Sequence, residues 1–250
     1  MPGFVIALVG AESTGKSTLA RDLCRALTTG ADTFAAPGTG SPTPRCALVD
    51  ESLRTFCDRL GRTPTIDEQA GLADEQSRCI AAAAATHDLV VADTTALMTA
   101  VYSDIVFSDT RLYPQALGVQ RSYGLTLLTA LDLPWQADGL QRDGAHVRGP
   151  VDRLIRRALT GAGLGWSVVA GQGPHRLSNA LAAVHQALRQ RPAHQHTPGD
   201  RRAEETAGAG AWRHLCTRCG DGECERRLWR IDHQMPDPAP VVVPDPCQRG

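Results

Sequence analysis

The residues best suited to chemistry stand near the start of the chain, in the run Gly10-Ala11-Glu12-Ser13-Thr14-Gly15-Lys16-Ser17-Thr18. They complete the pattern G-x-x-x-x-G-K-[ST], in which glycines let successive backbone N–H groups turn inward around a phosphate. Lys16 would reach the β- and γ-phosphates, and the Ser17 hydroxyl would face Mg2+. An apolar run from Phe4 to Val9 leads into the loop, and Leu19, Ala20, Leu23, Ala26 and Leu27 after it keep helical spacing. A helix starting there adds its unpaired N–H groups and the positive end of its dipole to the same phosphate. A glycine-rich turn without a ligand is the bland alternative, but by average residue usage such a match arises by chance in about one chain of this length per hundred. Lys16 is also the single lysine among 26 lysines and arginines. Its compact ammonium suits a phosphate point contact. The run reads as a nucleoside-triphosphate site, with Gly10, Glu12, Ser13, Thr14, Gly15, Lys16, Ser17 and Thr18 around the phosphates.

Further candidates follow short apolar runs. Cys46 to Val49 leads into Asp50-Glu51-Ser52-Leu53-Arg54, and in a parallel sheet ligands gather outside the carboxyl ends of strands. Asp50, Glu51 and Arg54 are therefore substrate candidates, although Asp50 or Ser52 would equally start the helix that carries Leu53, Phe56 and Leu60. Leu89 to Ala92 ends in Asp93, the position of a carboxylate that holds the Mg2+ water shell in phosphoryl transfer, or of an ordinary helix cap. Leu125 to Leu131 leads into Asp132, Trp135, Asp138 and Arg142. Trp135 suits stacking on a flat ring or a place at the core edge. Arg142, Arg148, Arg153 and Arg156, interleaved with glycines and Pro150, suit a mobile lid that neutralises a transferring phosphate and excludes water. A solvated helix face explains Arg156 and Arg157 equally well. Phosphoryl transfer needs positioning and charge neutralisation more than covalent help. Lys16, Mg2+ through Ser17 and Asp93, and a lid arginine, Arg148, would supply these, with Glu51 or Asp50 accepting the hydroxyl proton.

The elements that must position these groups alternate. Helical spacing is expected from the loop to about Gly30, over Ile66–His87, Leu97–Ile105, Tyr113–Tyr123, from Val151 to Gly161 and from Pro174 to Arg189. A further strand is expected over Trp166–Ala170. Five short apolar strands alternating with helices predict an α/β P-loop NTPase with a doubly wound, five-stranded parallel sheet, over residues 1–190. Residues 31–44 read as a loop. Residues 191–211, rich in Pro, Ala, Gly and charge, read as a flexible linker. Residues 212–250 form a small Cys-rich tail.

A net charge of −1 with 42% apolar and 21% charged residues offers no basic surplus for nucleic acid. The apolar start lacks a charged leader and is too short to span a membrane, so a cytoplasmic protein without membrane or nucleic-acid partners is expected. Of eight cysteines, Cys24, Cys46, Cys57 and Cys79 read as small core residues in a reducing compartment. Cys216, Cys219 and Cys224 have the spacing C-x2-C-x4-C, with His214, His233 or Cys247 as a fourth ligand for Zn2+, or alternatively form a redox-active dithiol. The tail would also suit docking to a protein partner.

The loop Gly10–Thr18, Glu51 and Arg54 spaced E-x-x-R, Gln76, Asp93-Thr94, and L-P-W-x-A-D-G-L-x-R from Leu133 to Arg142 together resemble the nicotinamide riboside kinase domain of NadR-type NAD-biosynthesis proteins. The resemblance covers roughly residues 3 to 190. It implies a P-loop kinase that moves the γ-phosphate of ATP to the 5′-hydroxyl of a nicotinamide nucleoside, with Glu51, Arg54, Trp135 and Asp138 near the nucleoside. The family often carries a second acid two residues after the strand Asp, where this chain has Thr95. A regulatory ATPase or GTPase, whose nucleotide state controls a partner, is the alternative from another class.

Overall fold

Six consecutive apolar residues with no polar break suit a strand covered on both faces, and Phe4–Val9 (β1) is buried along its whole length. The computed structural model describes residues 2–29, 44–136 and 145–190. These belong to the first of two compact units, Met1–Ala193; the second, His194–Gly250, lies outside the described residues. After β1 come α1 (Lys16–Thr29), β2 (Cys46–Val49), α2 (Ser52–Leu60), α3 (Ile66–Thr86), β3 (Leu89–Asp93) and α4 (Ala96–Phe107). The chain continues through α5 (Tyr113–Gln120), β4 (Leu125–Thr129), a 3-10 turn (Ala145–Val147), α6 (Arg148–Gly161), β5 (Ser167–Val169) and α7 (Gly173–Gln190).

The five strands form one parallel sheet in the order β2-β3-β1-β4-β5. The expected doubly wound α/β P-loop fold is therefore present. Alternation along β1 divides the core. Phe4, Ile6 and Leu8 pack with Leu19 and Leu23 of α1 and Leu181 and Val184 of α7. Val5 joins Ile80 and Ala84 of α3, and Val9 joins Leu97 and Val101 of α4 and Ile155 and Leu159 of α6. Because the chain runs outward to β2, returns to β3 beside β1 and then crosses to β4, its strand order reverses next to β1. In such sheets the crevice outside the carboxyl ends at the reversal is the ligand site.

Local chemistry sets the helix ends. Thr65 and Glu68 exchange hydrogen bonds in a capping box that starts α3. Gly61, at φ 66°, closes α2 by returning its N–H to the Cys57 carbonyl. Helix α6 begins at Arg148, three residues before the expected Val151, because Pro150 falls within the first turn, where its missing N–H costs no helical bond. Arg148 thus joins Arg153 and Arg156 on the helix, and Arg156 pairs with Asp152 one turn away at 2.7 Å. Cys24, Cys46, Cys57 and Cys79 are free thiols, with Cys57 buried and the others half-buried. No helix among the described residues is long and apolar enough to cross a membrane.

Candidate functional site

The loop between β1 and α1 takes backbone shapes that explain its sequence. Gly10 has φ 151°, Ser13 52° and Gly15 73°. A side chain at Gly10 would place its Cβ 2.0 Å from the Thr129 hydroxyl at the end of β4, so only glycine fits there. Thr14, fully buried, donates from its hydroxyl to the Ala11 carbonyl at 2.7 Å and lies 2.7 Å from the Thr129 hydroxyl, which is itself 3.3 Å from the Val9 carbonyl. Two protons serve these three contacts, so the longest yields: Thr129 donates to Thr14, and Thr14 to Ala11. The Lys16 ammonium donates to the same Ala11 carbonyl at 2.8 Å, bringing its charge back over the loop.

A second brace comes from α7. The buried Arg176 donates to the Thr14 carbonyl at 2.7 Å and, through its other terminal nitrogen, to Asp132 at 2.9 Å and the Gly171 carbonyl at 2.8 Å. Partial burial pushes the Asp132 carboxyl up, but the Arg176 guanidinium and the Gly171 N–H outweigh this and hold it below its ordinary range. The Ser13 hydroxyl donates to the Gln136 carbonyl at 2.6 Å, tying the loop to the segment after β4.

An open cleft of about 1150 Å3 runs from this loop across the carboxyl ends of the strands. One side presents the loop from Glu12 to Thr18, and another presents Glu51, Leu53 and Arg54 after β2, with Thr94, Met98 and Tyr102 after β3. Leu133, Pro134, Gln136, Gln172 and Arg176 complete it. Sheet register explains the convergence: Leu8 pairs with Asp93 and Val49 with Ala92, so the residues following β1, β2 and β3 leave the sheet at nearly one level.

Of the residues singled out from sequence, Glu12, Ser13, Thr14, Gly15, Lys16, Ser17 and Thr18 line the cleft with Glu51 and Arg54, whose side chains are 3.9 Å apart. Asp50 is exposed outside its lining. Trp135 is half-buried and does not line the cleft, although Pro134 and Gln136 on either side do. Arg148 is buried at the start of α6, away from the cleft lining, with two guanidinium nitrogens lacking a hydrogen-bond partner among the described residues. Asp138 and Arg142 lie outside the described residues, as do His214, Cys216, Cys219 and Cys224. Residues not marked as site candidates also enter: Tyr102, Met98, Gln172, Arg176 and Thr129. A threonine at the carboxyl end of β4 was the available signal for Thr129; Arg176, in the first turn of an amphipathic helix, gave none.

The donor set fits a divalent ion beside a triphosphate. Asp93 is buried, and one of its carboxylate oxygens has no hydrogen-bond partner among the described residues. A buried carboxylate oxygen left in this way suits a cation or its water. Among the described residues there is no group of three or more His, Cys, Asp or Glu able to hold a metal by themselves. Mg2+ requires no such group, since one or two protein ligands share the ion with phosphates and water.

A family model described as an AAA domain matches residues 5–176. Among solved structures, the fold is similar to that of NadR protein in complex with NAD and AMP-PNP (TM-score 0.57, 19% identity, covering 78% of this chain and 52% of that one). It is similar also to NadR protein in complex with NR (TM-score 0.58, 20% identity, covering 74% and 49%). The chain thus spans about half the length of these NadR chains, and at such identity the likeness is one of fold. None of the curated proteins matches the sequence.

Proposed function

The chain belongs to the AAA domain family, and from that premise we propose that it is a P-loop kinase moving the γ-phosphate of ATP to a hydroxyl of a small nucleoside-type acceptor, nicotinamide riboside or a relative. The observation that carries this reading is the cleft, in which the phosphate loop and a set of acidic, basic and aromatic side chains share one space. Single-ligand pockets span about 300–1,000 Å3, so about 1150 Å3 suits a nucleotide together with a second substrate. The resemblance of Glu51, Arg54 and the Leu133–Arg142 segment to nicotinamide riboside kinases supports the finer choice of acceptor and a role in NAD biosynthesis.

The chain's own groups divide the work. Backbone N–H groups of residues 10–17 and the start of α1 bind the phosphates, and Lys16 offsets the charge that shifts during transfer. Ser17 and Asp93 would hold Mg2+, whose positive charge draws electrons from the reacting phosphate. Glu51, inside the cleft where Asp50 is not, accepts the proton of the attacking hydroxyl, while Arg54 holds its carboxylate in place. Met98 and Tyr102 offer apolar area to the flat part of an acceptor. Arg148, with Asp138 and Arg142, is assigned to charge neutralisation and acceptor contact once both substrates are in place.

Incubation with ATP, Mg2+ and a panel of nucleosides tests the proposal. ADP is expected to appear in step with a phosphorylated nucleoside, and only when a nucleoside is present. Replacing Lys16 by Ala should lower turnover by about a hundredfold or more. Slow ATP or GTP hydrolysis indifferent to every nucleoside would instead return the regulatory-switch reading.

A further inference from the structure

Helix α2 starts without help from its own cap residue. Glu51 sits at the N-cap in an extended conformation (φ −69°, ψ 113°), and its side chain makes no capping hydrogen bond. The first N–H groups of a helix need partners from elsewhere. For α2 the partner comes from another helix: the buried Gln76 of α3 accepts the Ser52 N–H through its side-chain oxygen at 2.7 Å. Its amide nitrogen faces the Asp50 carbonyl at 3.3 Å and the Thr94 carbonyl at 3.4 Å. One side chain therefore holds the backbone after β2 and the backbone after β3.

Both segments carry groups that matter in the cleft. Glu51 lies between the two β2-side residues that Gln76 bonds, and Thr94 follows Asp93 directly. Thr94 has φ 72°, a left-handed conformation that a β-branched residue rarely adopts unless its surroundings enforce it. Gln76 also borders a chamber about the size of one water molecule, whose other walls include Glu51, Leu53, Thr94, Met98 and Tyr102, all of which line the cleft as well.

We propose that Gln76 is a positioning residue for the acceptor half of the cleft, capping α2 from another helix and fixing the Glu51 and Thr94 backbones relative to each other. The proposal rests on the kinase reading above. Gln76 thus caps α2 in place of Glu51, a residue that lines the cleft. No bond of Gln76 reaches the phosphate loop, and its one contact toward the Mg2+ side is with the Thr94 carbonyl next to Asp93.

The test uses the full chain and two separate cuts. Gln76→Met keeps the length of the side chain and removes all three bonds. Ser52→Pro removes the Ser52 N–H at the first helical position, where proline is tolerated and the extended Glu51 already suits a following proline; its ring carbon takes the place of that hydrogen and displaces the Gln76 oxygen, with no residue of α3 itself changed. Each variant is expected to lower kcat/KM for the acceptor about 10- to 100-fold through misplacement of the Glu51 side of the cleft. The KM for ATP should change less than the acceptor kinetics, because no Gln76 bond reaches the phosphate loop and the link to Asp93 runs only through the Thr94 carbonyl. The double variant should be little worse than the worse single one, because both cut the same strap. Acceptor kinetics unchanged in both, ATP and acceptor KM rising by the same factor, or strictly multiplying losses would each overturn the proposal. A wild-type chain that transfers no phosphate would overturn the functional reading instead. The strap is then judged by amide exchange: Gln76→Met should speed exchange at Ser52 and over residues 93–96, and unchanged exchange would overturn it.

Discussion

Arg176 connects the phosphate loop to two strand ends from a distance of 162 residues in sequence, and its bond to the Thr14 carbonyl fixes the crown of the loop. Replacing it by Met would leave the Thr14 and Gly171 carbonyls and the Asp132 carboxylate without that donor. A loss of about 1–3 kcal/mol in urea denaturation is expected for a part-buried, charge-assisted contact of this kind. The pair also carries an acid dependence. Asp132 is held below its ordinary pKa in the folded chain, so the stability it adds is present above about pH 4 and disappears as pH falls through the lower, folded value. Asp132→Asn should therefore narrow the difference in melting temperature between pH 7 and pH 3; an unchanged difference would assign the acid sensitivity to other carboxylates. The phosphate loop was legible in the sequence because its chemistry is packed into eight adjacent residues. Arg176 and Gln76 act across long separations on backbone atoms, which carry no residue-type signature, so their contacts could not be read from spacing.

At the scale of elements, apolar runs placed the five strands: β1, β3 and β4 are covered on both faces and need no alternation to be recognised, while the edge strands β2 and β5 are only partly buried. The start of α6 was misplaced by three residues because Pro150 reads as a breaker, whereas in a first turn it is harmless. That shift matters for chemistry, since it makes Arg148 a buried helical residue, two of whose guanidinium nitrogens find no partner among the described residues. Helix α3 gives the clearest energetic expectation. Its N-terminus rests on the reciprocal Thr65 and Glu68 bonds, reinforced by a two-nitrogen pairing of Arg62 with Glu68 at 2.7 Å. The Arg62 guanidinium and the Thr65 N–H hold the Glu68 carboxyl down to about 2. Thr65→Ala should cost about 1 kcal/mol of stability, read from the shift of the urea midpoint at constant slope. Because α3 carries Gln76, the same variant tests whether fraying at one end reaches the cleft; acceptor kinetics near those of wild type are expected, since Gln76 lies about three helical turns away and its bonds and the core residue Ile80 remain intact.

For the molecule as a whole, the apolar clusters that cover the sheet draw on residues between Phe4 and Leu188. A core so closed is expected to fold without the remainder of the chain. A chain ending at Ala193 should melt in a single cooperative transition and bind ATP with Mg2+ as the full chain does, measured by calorimetry; loss of cooperative melting would show that residues 194–250 belong to the same folding unit. The reversal of strand order beside β1 explains why the carboxyl end of the sheet gathers groups from β1, β2 and β3.

The hydroxyl chain from Thr129 through Thr14 to Ala11 has one more effect. It fastens the underside of the phosphate cradle to the middle of the sheet, so the curve that receives an anion exists before any anion arrives. A guest then meets a finished mould and forfeits little disorder of its host on entering. Its capture is then expected to be paced by diffusion and charge rather than by rearrangement of the loop, which would leave selectivity to the opposite wall.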